Sequence, residues 1–393
     1  MSSKKKDSEE KKILWGRPGN SLKMGIVGLP NVGKSTTFNL LSKQSVPAEN
    51  FPFCTIDPSS ARVAVPDKRF DWLVEQWKPP SAVSAMLEIH DIAGLVKGAS
   101  TGEGLGNAFL SHIRAVDGIY HVIRLFEDVD VTHVEGAVDP IRDLEIINNE
   151  LRLKDVEFAK KFLEQFRKLS QQDKQKRNLL PTVEKVYKML KEGESVRECT
   201  DWKVNDIEVI NQMQLLTVKP VIYLVNMSER DFLRQRNKNL PLVKEWIKKN
   251  GNHIMVPYSA VVEAKLEAMD DAERKAYLTT NKTRQMLGRI ILSGYKGLDL
   301  IHYFTAGEKE VKCWTVRALT KAPQAAGVIH GDFEKGFICA EVMSFDAYKE
   351  HGSEAACKKA GLYRQQGKEY IVQDGDIMFF KCNTAGLTKA KKK

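Results

Sequence analysis

Gly28-Leu29-Pro30-Asn31-Val32-Gly33-Lys34-Ser35 follows the apolar run Met24-Gly25-Ile26-Val27 and leads into Thr36-Thr37-Phe38-Asn39-Leu40-Leu41. The octapeptide fits G-x-x-x-x-G-K-[ST] in full, and average residue usage makes a chance match a roughly one-in-a-hundred event for a chain of this length. The run before it reads as a short buried strand and the segment after it as a helix, which is the context the pattern requires. Glycine lets the backbone bend until consecutive N–H groups surround a phosphate. Lys34 then neutralises the β/γ charge, and Ser35 is a ligand for Mg²⁺. The alternative is an ordinary glycine-rich turn.

Further motifs lie outward from this loop. Asp91-Ile92-Ala93-Gly94 ends a second strand expected at 85–90. An aspartate there can hold Mg²⁺ through water, and the glycine N–H can meet a γ-phosphate. Between the two motifs, Thr55 lies in Phe53-Cys54-Thr55-Ile56-Asp57-Pro58, able to place a hydroxyl on the same ion. That order is the one found in the GTPase superclass. Guanine readers of the class carry N-K-x-D after a later strand, and here that place holds Asn226-Met227-Ser228-Glu229. The added methylene of Glu229 moves the carboxylate and Met227 removes the lysine, so selectivity for guanine is lost and adenine becomes acceptable through backbone near Met227. A second departure concerns water. Leu95 follows Gly94 where Ras-like enzymes place a glutamine, and an alkyl group cannot orient water. Intrinsic turnover is therefore expected to be slow unless a cation, a partner or another group completes the site. His112, His121 and His133 are candidates by residue type.

Strands are also expected at 118–126, 221–226 and 254–259, with a helix near 106–116, a pattern of alternating strands and helices that argues for a mostly parallel sheet covered on both faces. Residues 141–180 contain neither Gly nor Pro, and Ile141, Leu144, Ile147, Leu151, Phe158, Phe162, Phe166 and Leu169 recur mostly three or four apart. This predicts an amphipathic helix, followed by a second from Pro181 to about 191 and a third over 206–216. The helices either project as a hairpin or pack on the core as a subdomain. Residues 304–388 read as a small separate α+β domain.

The chain of 393 residues is long enough for two or three domains, and its 42% hydrophobic and 28% charged residues exclude wholesale disorder. No apolar run is long enough to span a membrane, and the start lacks the apolar stretch of a signal peptide. Six scattered cysteines without a C-x-x-C pair read as reduced thiols. The net charge of +10 is concentrated at the ends. Residues 1–23 and 388–393 each contribute +4, leaving +2 for the body. Such ends add nonspecific affinity for phosphate or anionic surfaces, or simply aid solubility.

These residues together resemble the YchF family of Obg-related proteins, the Obg-like ATPases. The matching stretches cover nearly the whole chain: 28–36, 50–55, 91–106 (DIAGLVKGASTGEGLG), 226–229, 303–307 (YFTAG) and 322–336 (APQAAGVIHGDFEKG). The resemblance implies an α/β fold: a P-loop G domain with a mostly parallel sheet (24–140 and 218–303), interrupted by a helical coiled-coil domain (141–217). A C-terminal ubiquitin-like β-grasp, the TGS domain (304–388), would follow, with a basic extension at 1–23 and a basic tail at 389–393.

It also implies Mg²⁺-dependent hydrolysis of ATP, with GTP accepted. By position, Asn31, Val32, Gly33, Lys34, Ser35 and Thr36 wrap the phosphates, while Ser35, Thr55 and Asp91 hold Mg²⁺. Asn226, Met227, Glu229 and Ser259 complete the nucleotide contacts, with Met227 meeting adenine through its backbone. Lys34, Gly94 and His133 are the catalytic candidates, and Leu95 matches the family's hydrophobic replacement for glutamine. Asn31 lies where related enzymes bind K⁺.

TGS domains recur in proteins that handle RNA or ribosomes, so the ribosome or its RNA is the expected partner, together with a regulatory or activating protein. The protein is expected to be a cytoplasmic monomer, with transient membrane-surface or nuclear association through the basic ends. A nucleotide-hydrolysing switch is the leading reading. The alternative is an RNA- or ribosome-binding module in which nucleotide is mainly a structural ligand, and a metabolic phosphotransferase lacks a recognisable acceptor site.

Overall fold

The structure, a computed structural model, describes residues 14–44, 59–92, 94, 106–128, 136–251 and 253–383. Thr55, Leu95 and His133 lie outside these residues. Strands β1 (Lys23–Val27), β2 (Ser60–Ala64), β3 (Ser81–Val83), β4 (Met86–Asp91), β5 (Gly118–Arg124), β6 (Val221–Asn226) and β7 (Ile254–Tyr258) follow one another along the chain. All but β3 form one sheet, in the order β2-β4-β1-β5-β6-β7, parallel except where β2 meets β4. Every residue of central β5 is buried, as its near-continuous apolar run requires of a strand covered on both faces.

The helical insertion leaves this sheet after β5 and returns before β6. Asp139 caps its first helix, Pro140–Ser170, by accepting from the Ile141 and Arg142 N–H groups, with proline in the first turn. The sequence predicts that this helix runs to 180 and that Pro181 opens the next. Instead the break falls at 171–173, where Asp173 caps a helix spanning Lys174–Glu192 and Pro181 sits inside it. A cap aspartate is a less visible signal than proline, but it satisfies two otherwise orphaned donors. The third helix is Val204–Met213. Leu144, Ile147 and Leu151 at the base of the long helix belong to the main core. Beyond them, Ala159, Leu163 and Phe166 build a second core with Val183, Val186, Leu190 and Ile210. The insertion is thus seated at its base and self-supporting at its far end.

Strands β8 (Leu300–Ala306), β9 (Glu310–Arg317), β10 (Phe337–Ser344), β11 (Arg364–Gln366) and β12 (Asp376–Cys382) form the second sheet, in the order β11-β10-β12-β8-β9. Numbered within this unit the order is 2-1-5-3-4 when read from β9, with first and last strands parallel, which is the β-grasp arrangement. The border expected at 303/304 falls inside β8. Nor is the unit separate: β3 extends its sheet by pairing in parallel with β9, and Phe304, Phe345, Tyr348 and Ile377 pack in the main core. Asp67 and Arg69, at the start of helix Lys68–Trp77, reach across the join. His302 Nε2 lies 2.7 Å from Asp67 Oδ2, and Arg69 Nη2 is 2.7 Å from Asp67 Oδ2 and 3.0 Å from Asp374 Oδ2. Burial opposes ionisation of Asp67, yet the bonds from His302 and Arg69 outweigh it and hold the carboxyl well below the usual range. Among the described residues, no helix is long and apolar enough to cross a membrane.

One buried carboxylate closes the insertion. Asp155 accepts from Leu216 N (2.8 Å), Thr217 N (2.8 Å) and Thr217 Oγ1 (2.7 Å), tying the chain's return to the middle of the first helix. Burial pushes its carboxyl up to about 6, against the pull of those bonds and of Lys219. Asp155→Ala should destabilise the protein by about 1–3 kcal/mol, because it leaves buried N–H groups unpaired. Urea denaturation should register the loss, and hydrogen exchange should quicken at Leu216 and Thr217; unchanged exchange there would show that the carboxylate does not hold the closure.

Candidate phosphate and base site

Parallel register assembles the site. Asp91 of β4 lies beside Ile26 of β1, while Arg124, Asn226 and Tyr258 stand side by side at the ends of β5, β6 and β7. In an open α/β sheet, ligands bind in the crevice outside such carboxyl ends. The 28–33 loop crosses this crevice with three of its carbonyls tied down. The Lys34 ammonium donates to Leu29 O (2.7 Å), the Arg124 guanidinium to Asn31 O (3.2 Å) and the Asn226 amide to Val32 O (3.1 Å). Because a trans peptide sets C=O and N–H in opposite directions, the Val32 and Gly33 N–H groups point away from those donors.

The backbone allows this only with two left-handed residues, Asn31 (φ 63°) and Gly33 (φ 97°). A Cβ on Gly33 would also stand 2.5 Å from Asn226 Nδ2, and one on Gly28 would stand 2.7 Å from Val122 O. Helix Lys34–Ser42 begins at once, its first bond running from Thr37 N to Gly33 O, so the preceding N–H groups form an anion site at a helix N-terminus. Thr36 is exposed on that first turn.

Lys34 is nearly buried, and burial lowers its ammonium to about 8 against the attraction of Asp91. Ser35 Oγ donates to Asp91 Oδ2 at 2.8 Å, so the structure brings together two of the three residues expected at the metal. A hydroxyl beside a carboxylate is a hard-oxygen pair suited to Mg²⁺, which keeps several waters and takes phosphate oxygens as further ligands. Gly94 is close by: a Cβ there would stand 3.0 Å from Lys34 Nζ.

On the base side, Asn226 is used at both ends, since its Oδ1 accepts from Ala260 N at 3.1 Å. Met227 is buried and its N–H donates to Tyr258 O (2.9 Å). Glu229 is held away by two partners, with Lys265 Nζ 2.6 Å from its Oε2 and Tyr277 OH 3.0 Å from its Oε1. Hydrogen bonding to Lys265 keeps its carboxyl below the usual range. Ser259 is fully buried and its Oγ has no hydrogen-bond partner among the described residues.

The histidines expected by type separate. His121 is buried in β5 with its ring 5.4 Å from that of Tyr223, and burial lowers it to about 3, so it is a neutral core residue. His112 is exposed on helix Gly106–Ala115. Sequence reasoning missed Arg124, Lys265 and Tyr277. The first had a signal: an arginine inside an apolar central strand must find partners to be buried, and it finds the loop.

Two family models match this chain. The one described as 50S ribosome-binding GTPase covers residues 23–161, and that of the YchF GTPase C-terminal domain, described as a protein of unknown function, covers 300–383. Obg-like ATPase 1 of Oryza sativa subsp. japonica is 56% identical over 387 residues, 98% of each chain. Obg-like ATPase 1 of Homo sapiens is 53% identical over 383 residues, 96% of each. The solved structure of the Schizosaccharomyces pombe YchF GTPase is similar with a TM-score of 0.85 at 52% identity, covering 94% of this chain and 100% of that one.

Two outcomes follow from the loop geometry. Gly33→Ala should abolish nucleotide binding in a titration while leaving the fold intact by circular dichroism, since strain and the Asn226 clash fall on the loop alone. Lys34 must carry its proton to meet a phosphate, and in the free protein it loses it near pH 8. Affinity for Mg-ATP should therefore weaken about tenfold between pH 7.5 and 9. Binding at pH 8 should take up about half a proton per site, seen as a buffer-dependent heat; a flat profile would remove the depressed lysine.

Proposed function

The chain belongs to the YchF family of Obg-like ATPases, and from that premise we propose that it accepts ATP at least as well as GTP because the carboxylate that would select guanine is withheld from the base. As a family member it is a P-loop nucleoside triphosphatase that works as a nucleotide-binding switch. The observation that carries the preference is the state of Glu229. Reading guanine needs a carboxylate free to accept from N1–H and the 2-amino group, and Glu229 is instead bound by Lys265 and Tyr277. Met227 has already given its N–H to Tyr258, so its carbonyl is the backbone group left for the base. A carbonyl accepts from the 6-amino group of adenine and repels the 6-oxo group of guanine. GTP would bind through its phosphates alone.

Ser35 and Asp91 would hold Mg²⁺, with Thr55 as a further hydroxyl ligand in the triphosphate state. When bound, the ion neutralises phosphate oxygens. Lys34 and the loop N–H groups hold the β- and γ-phosphates, and the Gly94 N–H meets the γ-phosphate. Water then attacks the γ-phosphorus, an O–P bond forms, the bond to the β–γ bridging oxygen breaks to leave ADP, and the departing phosphate takes one proton of the water while the other passes to solvent. Charge on the transferring group is met by donors set in advance. K⁺ beside Asn31 and a water oriented by His133 are the contributions we assign in place of a glutamine, and they rest on the sequence. The match to ribosome-binding GTPases supports the ribosome or its RNA as partner, and with it a cytoplasmic site of action.

Paired calorimetric titrations with Mg-ATP and Mg-GTP test the preference. ATP should bind at least as tightly as GTP. Met227→Lys with Glu229→Asp should shift the ratio toward GTP by about 1–3 kcal/mol, by analogy with a bidentate base contact. A hundredfold preference of the unmodified chain for GTP would refute the reading.

A further inference from the structure

Behind the base motif lies a cavity of about 400 Å³ that the nucleotide reading leaves unused. Its floor is apolar, from Met227, Phe232, Pro257 and Met286, and its rim carries Lys282, Arg284 and Arg289. No lining residue is acidic, and among the described residues no carboxylate lies within ion-pair distance of the three cations. Three solvent-reaching cations at the mouth of one apolar cavity give it a positive potential, which favours an anionic ligand over a neutral or cationic one. Gln235 (φ 51°) and Lys282 (φ 48°), both left-handed, follow the C-caps of helices Glu229–Leu233 and Asp271–Thr280 and turn the chain along the wall. A volume in the range of small-molecule pockets, apolar below and cationic above, suits one class of ligand.

We infer that this cavity binds a small organic anion, a carboxylate or phosphomonoester on an apolar body, and that its occupancy alters nucleotide affinity through Met227. The guanidinium groups of Arg284 and Arg289 match the fork geometry of both headgroups. Met227 is a wall of the cavity and also the residue whose backbone faces the base in the reading above. The side chain is almost wholly buried, so a ligand that presses on it must shift the segment that carries it. The coupling rests on the adenine reading, whereas the site does not. Linkage makes the effect reciprocal: whatever factor the anion imposes on ATP, ATP imposes on the anion.

The full chain is titrated with 1-naphthyl phosphate, followed by fluorescence anisotropy, and with decanoate, followed by calorimetry; the two arms separate a phosphate from a carboxylate ligand. Saturable binding at one site is expected for at least one probe. It should persist in Lys34→Ala, which disables the phosphate loop, and weaken at least tenfold in the double variant Arg284→Ala with Arg289→Ala. Both arginines are exposed, so that variant should keep the melting temperature of the parent. Affinity for Mg-ATP should change when the probe is saturating, and the probe's affinity should change by the same factor with ATP. Binding lost in Lys34→Ala would assign the probe to the phosphate loop and overturn the site, as would equal binding by the double variant. A retained site with unchanged ATP affinity would overturn the coupling.

Discussion

Three carbonyl oxygens of the 28–33 loop, those of Leu29, Asn31 and Val32, are held by the Lys34 ammonium, the Arg124 guanidinium and the Asn226 amide, and the phosphate site exists because of these bonds. A loop cannot offer its N–H groups to an anion unless its carbonyls are turned elsewhere and satisfied there. Two of the donors come from the ends of neighbouring parallel strands, which is why the loop needs the sheet behind it. Asn226 is the most constrained of the three, because its amide accepts from Ala260 N while it donates to the loop. An aspartate there would lose the donor and an alanine would lose both bonds. Arg124 gains further support from the Phe126 ring, 4.5 Å below its guanidinium.

The same economy joins the two sheets. Asp67 caps a helix of the nucleotide-binding half and receives His302 and Arg69, while Arg69 reaches on to Asp374. Gly375 follows, where a Cβ would stand 2.3 Å from the Arg69 guanidinium. Each of the two central charges has a second partner, Asp67 in His302 and Arg69 in Asp374, so the join is a network and not a single pair. Trp72 and Trp77 pack against Phe345 and Tyr348 over the same join. The charged and aromatic contacts together seat helix Lys68–Trp77 of the nucleotide-binding half against the C-terminal unit.

The contacts of Glu229 show how a single methylene redirects a side chain. Glu229 occupies the position of a guanine-reading aspartate, and its longer side chain reaches Lys265 and Tyr277 on the helices that follow β7. The carboxylate is still ionised and still useful, but to the fold. It ties the base motif to helices Ala260–Ala268 and Asp271–Thr280, which carry the chain on toward the cationic rim of the adjoining cavity.

The sequence alone determined the phosphate loop and the mostly parallel sheet, because each rests on local spacing or strand periodicity that survives in one dimension; it expected Ser35 and Asp91 at one ion, and the structure adds the bond between them across 56 residues. It also marked the β-grasp unit and the helical insertion as distinct from the sheet. It misplaced the break in the insertion by about ten residues, because proline is conspicuous and the cap at Asp173 is not. Only the tertiary structure decided who satisfies the loop's carbonyls, since Arg124 and Asn226 lie 93 and 194 residues from their acceptors. It alone decided that Glu229 is occupied, that Asp155 closes the insertion and that Asp67 meets His302 235 residues away. Burial makes those polar contacts obligatory, yet the partner is chosen by which strand ends and helix starts meet in space, and no periodicity in the chain records that.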